Sequence, residues 1–394
     1  MSSLAWIDFD EAERQRAHRI MALFQERESR DELGLGSIRD SIADHLFPGT
    51  STIQTRLRYM LFIPWIFQKL ESSDKRADQL ATEARALEND LAKALMAGGE
   101  SVGVIGREKG IELQRLPSSV YWAGLGAWGI RLFPGSTDCL FSSMRQLRQS
   151  RTRIREGENR GAFEQQQRIW SGSLPLAPQC FLERVDFHLS SEEGQFIIDR
   201  LVSQHPKALL TALAGNAKGA ADCNYVWEHP SLAEFPDAAR QIVLHAQVFS
   251  SVMHGAALLY NLLLSQLREN PEWVAAYEEQ LREWRSQLDL AAIRAWSLDA
   301  FWHAIEHPSH SVRPAAKRFV TEWLRMVCAE TISDARDSPA AVLVQQREQR
   351  LKTVQSRFSN RAVRDRWGGA SGASRLSFRW NQAKAHLRDL ANAQ

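Results

Sequence analysis

The sequence has few cysteines and almost no net charge. Its four cysteines lie far apart, and no two of them form a CxxC pair. This spacing argues against a zinc ribbon or a disulfide framework and is typical of a reducing compartment. Lys and Arg number 49 and Asp and Glu 47, which leaves a net charge of +2. Any basic surface for a partner must therefore be local.

Common catalytic motifs are also missing. The chain contains neither the GxxxxGK[ST] phosphate loop nor the GxSxG nucleophile motif. No phospholipase-like HxK is followed by Asp at the right spacing. Common nucleotidase and hydrolase chemistry has no support. We therefore expect no cofactor and favour a protein that is not an enzyme.

The N-terminus lacks the features of a secretory signal. MSSLAWIDFDEAERQR places acidic residues where a signal peptide has a basic region followed by an apolar run. Polar residues also interrupt the most apolar stretch of the chain, so no clean window of about 20 apolar residues exists. These observations predict a cytoplasmic protein that does not contact a membrane.

Helical periodicity dominates what is present. The stretch from Asp237 to Arg268 follows Pro236 and is apolar on almost every side from Val243 to Leu264. A helix without a polar face is typically the buried centre of a large helical domain. No alternating strand pattern occurs. The sequence thus predicts a mainly α fold, a multi-helix domain packed around this buried central helix.

Within this helical chain, Gly, Pro and charge patterns indicate four regions. Thirteen tryptophans, many at helical spacing with other apolar residues, suggest helix–helix seams more than exposed binding platforms. The predicted regions are an N-terminal helical domain with a helical arm, an Arg-rich connector, a central helical domain and a basic C-terminal region: 1–133 (arm 74–97), 134–180, 181–338 and 339–394.

The C-terminal region carries the most regular charge pattern. From residue 347 to the end there are eleven Lys or Arg and three Asp or Glu. Ser338-Pro339 predicts the start of a long helix that reaches Trp367. Five arginines recur along it at steps of 3, 7, 4 and 3, and a GGASG loop with possible anion-binding amides precedes two more. Such a stripe suits phosphate contacts. The predicted nucleic-acid-binding residues are Arg347, Arg350, Arg357, Arg361, Arg364, Arg375 and Arg379.

A weaker pattern is the HxxEH sequence of some zinc peptidases. In that motif His303 and His307 bind zinc and Glu306 acts as the base. A third ligand would have to come from the following helix, at Glu322 or Glu330. The proline after His307 places it on a last helical turn, where histidine is also favoured by the helix dipole. A zinc hydrolase remains a distant alternative, and we predict no metal site.

Several stretches resemble an uncharacterised bacterial family known as a domain of unknown function. They are WIDF, LFPGTSTIQTRLRYMLFIPW, LPSSVYWAGLGAWGI, FSSVMHGAALLYNLLL and WGGASGASRLSFRW, which begin at residues 6, 46, 116, 249 and 367. The resemblance covers nearly the whole chain. It implies members encoded near restriction or phage-defence genes, but no activity and no catalytic residue.

These observations favour a non-enzymatic accessory protein of a bacterial, anti-phage system that contacts nucleic acid through its C-terminal arginines. The alternative is a protein-interaction scaffold of a multi-gene defence complex, without nucleic-acid contact. In that case the 74–97 arm and the connector from Arg145 to Arg160 would dock products of neighbouring genes.

Overall fold

The computed structural model describes residues 31–107, 115–155, 168–216, 220–306 and 311–393. WIDF, part of the Arg-rich connector and His307 lie outside these ranges. Within them the chain forms fifteen α-helices and no β-strand, which confirms the mainly α prediction. The helices are α1 Gly36–Leu46, α2 Tyr59–Glu71, α3 Ala77–Ala97, α4 Pro117–Ala127, α5 Thr137–Arg155, α6 Ser191–Gln204, α7 Leu209–Ala214, α8 Asp237–Leu267, α9 Pro271–Ser286, α10 Leu290–Ala295, α11 Leu298–Ile305, α12 Pro314–Cys328, α13 Pro339–Lys352, α14 Arg361–Asp365 and α15 Trp380–Ala391.

Local capping explains where several helices begin. The side chains of Ser190 and Glu193 form a reciprocal capping box at α6. Asn270 accepts a hydrogen bond from the backbone of Trp273 at the start of α9, and Pro271 occupies the first turn. Ser338 caps α13 in the same way. The predicted start of α13 at Ser338-Pro339 is confirmed, because the polar cap and the proline act within a single turn.

The described chain divides into two compact units. The described residues of unit 1 fall within 31–42 and 241–378, and those of unit 2 fall within 43–240 and 379–393. Both units are discontinuous in sequence. The four regions predicted from the sequence follow chain order, and their boundaries stay a prediction.

Unit 1 is built on α8. Every residue from 258 to 265 is buried, including the polar Asn261 and Ser265. Three tryptophan indoles from later helices donate hydrogen bonds to this helix: Trp284 to Ser251 O at 2.8 Å, Trp323 to Val252 O at 2.9 Å and Trp296 to His245 Nδ1 at 2.9 Å. The tryptophans of this unit therefore form helix–helix seams, as the sequence predicts.

By length and composition, α8 is the one helix of the described residues that is able to cross a membrane. Its most apolar window is 61% buried inside the protein. The mostly buried core helix of a soluble protein meets the same criterion.

Unit 2 has a core of aromatic side chains around α2. This helix packs against α3 and α4, and α3 packs against α5. Phe67 stacks on Phe141 of α5 with ring centroids 5.5 Å apart. Leu80 and Leu91 of α3 are buried. The apolar stripe of the predicted 74–97 arm is thus already covered within the unit.

The start of α2 differs from the sequence prediction. A Thr50 or Ser51 cap predicts a helix from Thr52 onward, whereas α2 begins at Tyr59. Tertiary partners hold the intervening backbone in turns. The hydroxyl of Tyr121 accepts from the amide of Thr55 at 2.8 Å, and Asp389 accepts from the amide of Leu57 at 2.8 Å.

The predicted long helix from Ser338 to Trp367 is also wrong, because α13 ends at Lys352. Thr353 has φ +47°, a left-handed conformation that stops the helix. The buried carboxylate of Glu348 accepts from the Ser356 hydroxyl at 2.5 Å and from the Arg357 amide at 2.8 Å. These bonds turn the chain back, so the five arginines do not share one helix face.

Candidate functional site

Polar side chains of α8 hold the chain segment 369–376 along the helix. Ser250 donates to Leu376 O at 3.1 Å, and His254 Nε2 lies 3.0 Å from Ala373 O. Asn261 Nδ2 donates to Ser371 O at 2.9 Å. His254 and Asn261 are therefore hydrogen-bonded within unit 1.

The GGASG loop lies within this segment. The amide of Ser371 donates to Asn261 Oδ1 at 2.8 Å, and the hydroxyl of Tyr277 donates to Gly369 O at 2.7 Å. The Ser371 amide is therefore already paired and does not point toward a ligand. This segment is a structural part of unit 1, and the predicted anion-binding nest has no role in the site proposed below.

Among the arginines of the predicted stripe, Arg357 is the most buried, at 7% exposure. Its Nη1 lies 2.8 Å from Glu32 Oε1 and donates to the Tyr260 hydroxyl at 2.8 Å and to Ser371 Oγ at 3.2 Å. Burial is the largest single influence and lowers the pKa of Arg357. Tyr260 and Glu32 act in the opposite direction, and the net shift of the pKa is upward. The Arg357 guanidinium therefore has its partners inside unit 1.

The other four arginines outside the groove described below have different partners or surroundings. Arg364 donates to the carbonyl of Arg357 at 2.9 Å, and Arg379 of unit 2 pairs with Asp44 at 2.6 Å. Arg361 is largely exposed and lies 3.7 Å from Asp365. Arg375 lines a separate cleft between α8 and α9. The predicted residues therefore occupy several different surroundings.

Arg347 and Arg350 meet in one groove between α12 and α13. The groove has a volume of about 280 Å³, and Arg318 of α12 lines it from the opposite side. Glu322 is the one acidic residue in its lining, and the ring of Phe319 forms part of its floor. The groove thus combines three guanidinium groups with one carboxylate.

The position of Arg347 is fixed by backbone carbonyls. Its Nε donates to Leu33 O at 2.8 Å, while Nη1 and Nη2 each donate at 3.2 Å, to Ala315 O and Gly34 O. The guanidinium also lies over the Phe319 ring, 5.5 Å from its centroid. Burial lowers the pKa of Arg347, against a smaller opposite effect of Asp31. Its direct partners are neutral, so its charge lacks a carboxylate in ion-pair contact among the described residues.

Arg318 is missing from the sequence prediction. It lies on the exposed face of α12, whose opposite face buries Phe319, Val320 and Trp323. The strong amphipathic pattern of this helix shows that Arg318 faces outward, but gives no information on which helix lies beside it. The packing of α12 against α13 is visible only in the tertiary structure.

The HxxEH residues do not come together as a metal site in the part of the chain that is described. Helix α11 ends at Ile305, so Glu306 is outside it. The Glu306 carboxylate accepts from the amide of Val312 at 2.8 Å and from Lys317 Nζ at 2.6 Å. No group of three or more potential metal ligands occurs among the described residues. His307 lies outside them, so the zinc alternative stays a prediction.

The fold and groove define a mainly α-helical protein with an arginine-lined surface site. The chain belongs to a family of unknown function, DUF6361, whose model matches residues 1–394. This confirms the resemblance to an uncharacterised family over the whole chain. No curated protein and no solved structure matches the chain.

Proposed function

We propose that the protein is a non-enzymatic accessory protein that binds the phosphate backbone of nucleic acid in the α12–α13 groove. One observation carries the proposal: Arg318, Arg347 and Arg350 line a single groove whose lining contains one carboxylate. Arginine is suited to this role because its planar group donates two parallel hydrogen bonds to phosphate oxygens.

The surroundings of Arg347 support an anionic ligand. A charged group that is partly buried and paired with neutral carbonyls remains without a counter-charge. A phosphate in the groove would supply that charge, and the attraction is stronger where water is partly excluded. The carbonyl bonds also fix the guanidinium before binding, which lowers the entropy cost of ordering it.

The other two arginines are placed to extend the contact. Arg318 and Arg350 are exposed, and Arg350 has a 3.4 Å hydrogen bond to the neutral side chain of Gln346. Exposed guanidinium groups follow a ligand backbone readily and exchange bound water and ions for phosphate. The arginines of the groove are suited to binding a phosphate, so we propose binding of nucleic acid and no reaction on it. The setting in an anti-phage system belongs to the same proposal and is supported by the family resemblance alone.

The first experiment is fluorescence anisotropy with labelled duplex DNA, single-stranded DNA and RNA over a salt series. We expect a linear fall of log affinity with log salt. The double variant Arg318→Glu/Arg350→Glu should lower the magnitude of that slope by about two, since each lost phosphate contact reduces it by about one. The exposed Arg361→Glu/Arg366→Glu pair is the matched control and should change the slope less.

The result would be clear in either direction. Equal effects of the two double variants would show that net charge rather than the groove is responsible. A lack of binding to all three probes at low salt would overturn the proposal. The scaffold alternative would then lead, and affinity purification from the native host should recover specific protein partners.

A further inference from the structure

A second cavity of unit 1 has a different chemistry from the groove. It is a polar cleft of about 520 Å³ between α8 and α9, closed at its sides by the start of α10 and by Arg375. The volume is in the usual range of small-molecule sites. Two helix faces line it: Gln247, Ser251 and His254 of α8, and Gln280, Glu283 and Trp284 of α9, with Gln287 directly after α9.

The charges in this polar cleft are of both signs. Arg375 is close enough to His254 for its charge to lower the histidine pKa. Asp289 follows the end of α9, accepts a hydrogen bond from the amide of Ala292 at 3.0 Å, and lines the cleft. Glu283 of α9 also lines it, next to Trp284.

The uncharged groups of the cleft are hydrogen-bonding ones. Three glutamine side chains each present both a donor and an acceptor. Burial, the largest influence, lowers the pKa of His254 to about 4, so the ring is neutral at pH 7. Its Nε2 bonds to the carbonyl of Ala373, which leaves Nδ1 as an acceptor. The lining therefore carries one cation and two carboxylates.

This balance selects among ligand classes. A phosphate monoester with two negative charges would meet a lining whose net charge is already negative. A purely cationic ligand would be attracted by the two carboxylates but would gain nothing from Arg375. A zwitterion places each of its charges beside an opposite one, and charge complementarity of this kind gives specificity.

We propose that the polar cleft binds a small zwitterionic molecule of the amino-acid class, either a free amino acid or a dipeptide. Its carboxylate would pair with Arg375 and its ammonium group with Glu283. The amide groups of Gln247, Gln280 and Gln287 would bond to the polar body of the ligand. This site is independent of the α12–α13 groove and of the nucleic-acid proposal.

Isothermal titration calorimetry of the full chain tests the proposal with four probes: L-glutamine, the dipeptide alanyl-glutamine, N-acetyl-glutamine amide, which lacks both charges, and adenosine monophosphate. We expect saturable binding of at least one of the two zwitterions. Blocking both charges should weaken binding by about a hundredfold, because each charged contact is worth about one decade in affinity. A loss of about tenfold is expected for Arg375→Gln and for Glu283→Gln, since each removes one contact.

Matched controls separate the cleft from general charge effects. Arg325 and Glu272 are exposed, and neither lines the cleft. Arg325→Gln and Glu272→Gln should leave zwitterion binding within a factor of two of the unaltered chain, as should the groove variant Arg318→Glu. Glu283 is itself exposed, so Glu283→Gln is expected to keep the fold, and its thermal melting curve verifies this.

Three outcomes would overturn the proposal. They are the absence of zwitterion binding, binding by the nucleotide alone, and zwitterion binding that neither cleft variant weakens. Loss of binding in folded Glu283→Gln, with the nucleotide inactive and the controls unchanged, would support it.

Discussion

The side chain of Asn261 forms two hydrogen bonds with the backbone of Ser371, one in each direction. Nδ2 donates to the Ser371 carbonyl at 2.9 Å, and Oδ1 accepts from the Ser371 amide at 2.8 Å. The same Nδ2 also donates to Ala257 O at 2.7 Å. The side-chain amide of Asn261, in the middle of an apolar helix, therefore pairs with the backbone of the glycine-rich segment 369–376 as a neighbouring β-strand would.

Removal of this amide should destabilise unit 1. Asn261→Leu keeps a similar volume but leaves the Ser371 amide and carbonyl buried without partners, at a cost of about 2–4 kcal/mol. Urea unfolding measured by circular dichroism gives the change. The exposed Asn381→Ala is the control and should stay within about 0.5 kcal/mol. An equal effect of both substitutions would contradict a role of Asn261 in holding the segment.

The central helix shows how much of the fold was open to prediction. Its limits and the capped start of α13 depend on residues within a turn of each boundary, and both were predicted. The end of α13 depends instead on two features. The carboxylate of Glu348 accepts a hydrogen bond from the amide of Arg357, and the backbone of Thr353 has a positive φ. A tertiary bond of this kind leaves no local signature.

The distinction between local sequence pattern and tertiary contact also applies to the arginines. Arg347 and Arg350 were predicted together because they belong to a regular charge pattern, and their role in binding stays a prediction. Arg318, their partner in the groove, belongs to another helix, and no periodicity connects the two. The burial of Arg357 depends on Glu32, which lies far away in the sequence. One sequence shows that an arginine is present, whereas its neighbours decide whether it faces a ligand or a glutamate.

Arg357 and Arg361 therefore give a direct comparison. Arg357→Met leaves Glu32 as a buried charge with fewer partners and should cost about 3–5 kcal/mol of unfolding free energy. Arg361, whose side chain is 86% exposed, should cost less than about 1 kcal/mol in Arg361→Met. Guanidinium-chloride unfolding of both variants measures the difference. Similar small effects would mean that the Glu32–Arg357 pair contributes little, as an exposed pair would.

His386 should make unit 2 sensitive to acid. It is fully buried beside Trp128, and neither ring nitrogen has a hydrogen-bond partner among the described residues. Burial, aided by Arg56, lowers its pKa to about 4 from an unfolded value of 6.5. The unfolded chain therefore binds a proton first, and stability is lost as the pH falls from about 6.5 to 4, by about 3 kcal/mol in total.

The variant His386→Leu removes the contribution of His386 to the pH dependence of stability. Its denaturation midpoint, compared with that of the unaltered chain from pH 7 to 4, should fall less steeply. The comparison is needed because burial raises the pKa of Glu88 to about 7, an effect that acts with the opposite sign in part of the same range. The exposed His188→Leu should retain the original slope. If His386→Leu retains it as well, His386 has a partner that keeps it close to its ordinary pKa.

The polar cleft depends on the close approach of α8 and α9 at Gly255. A Cβ at this position would overlap the six-membered ring of Trp284, which is buried and held by its bond to Ser251 O. Gly255→Ala should therefore force the helices apart, at a cost of about 1–3 kcal/mol, even though alanine is the better helix former. Thermal unfolding measures the loss. The smaller ring in Gly255→Ala/Trp284→Phe should recover part of it, since the overlap rather than the helix backbone is the cause. If the single variant is more stable than the unaltered chain, helix propensity outweighs packing, and the glycine is not required for the approach that shapes the cleft.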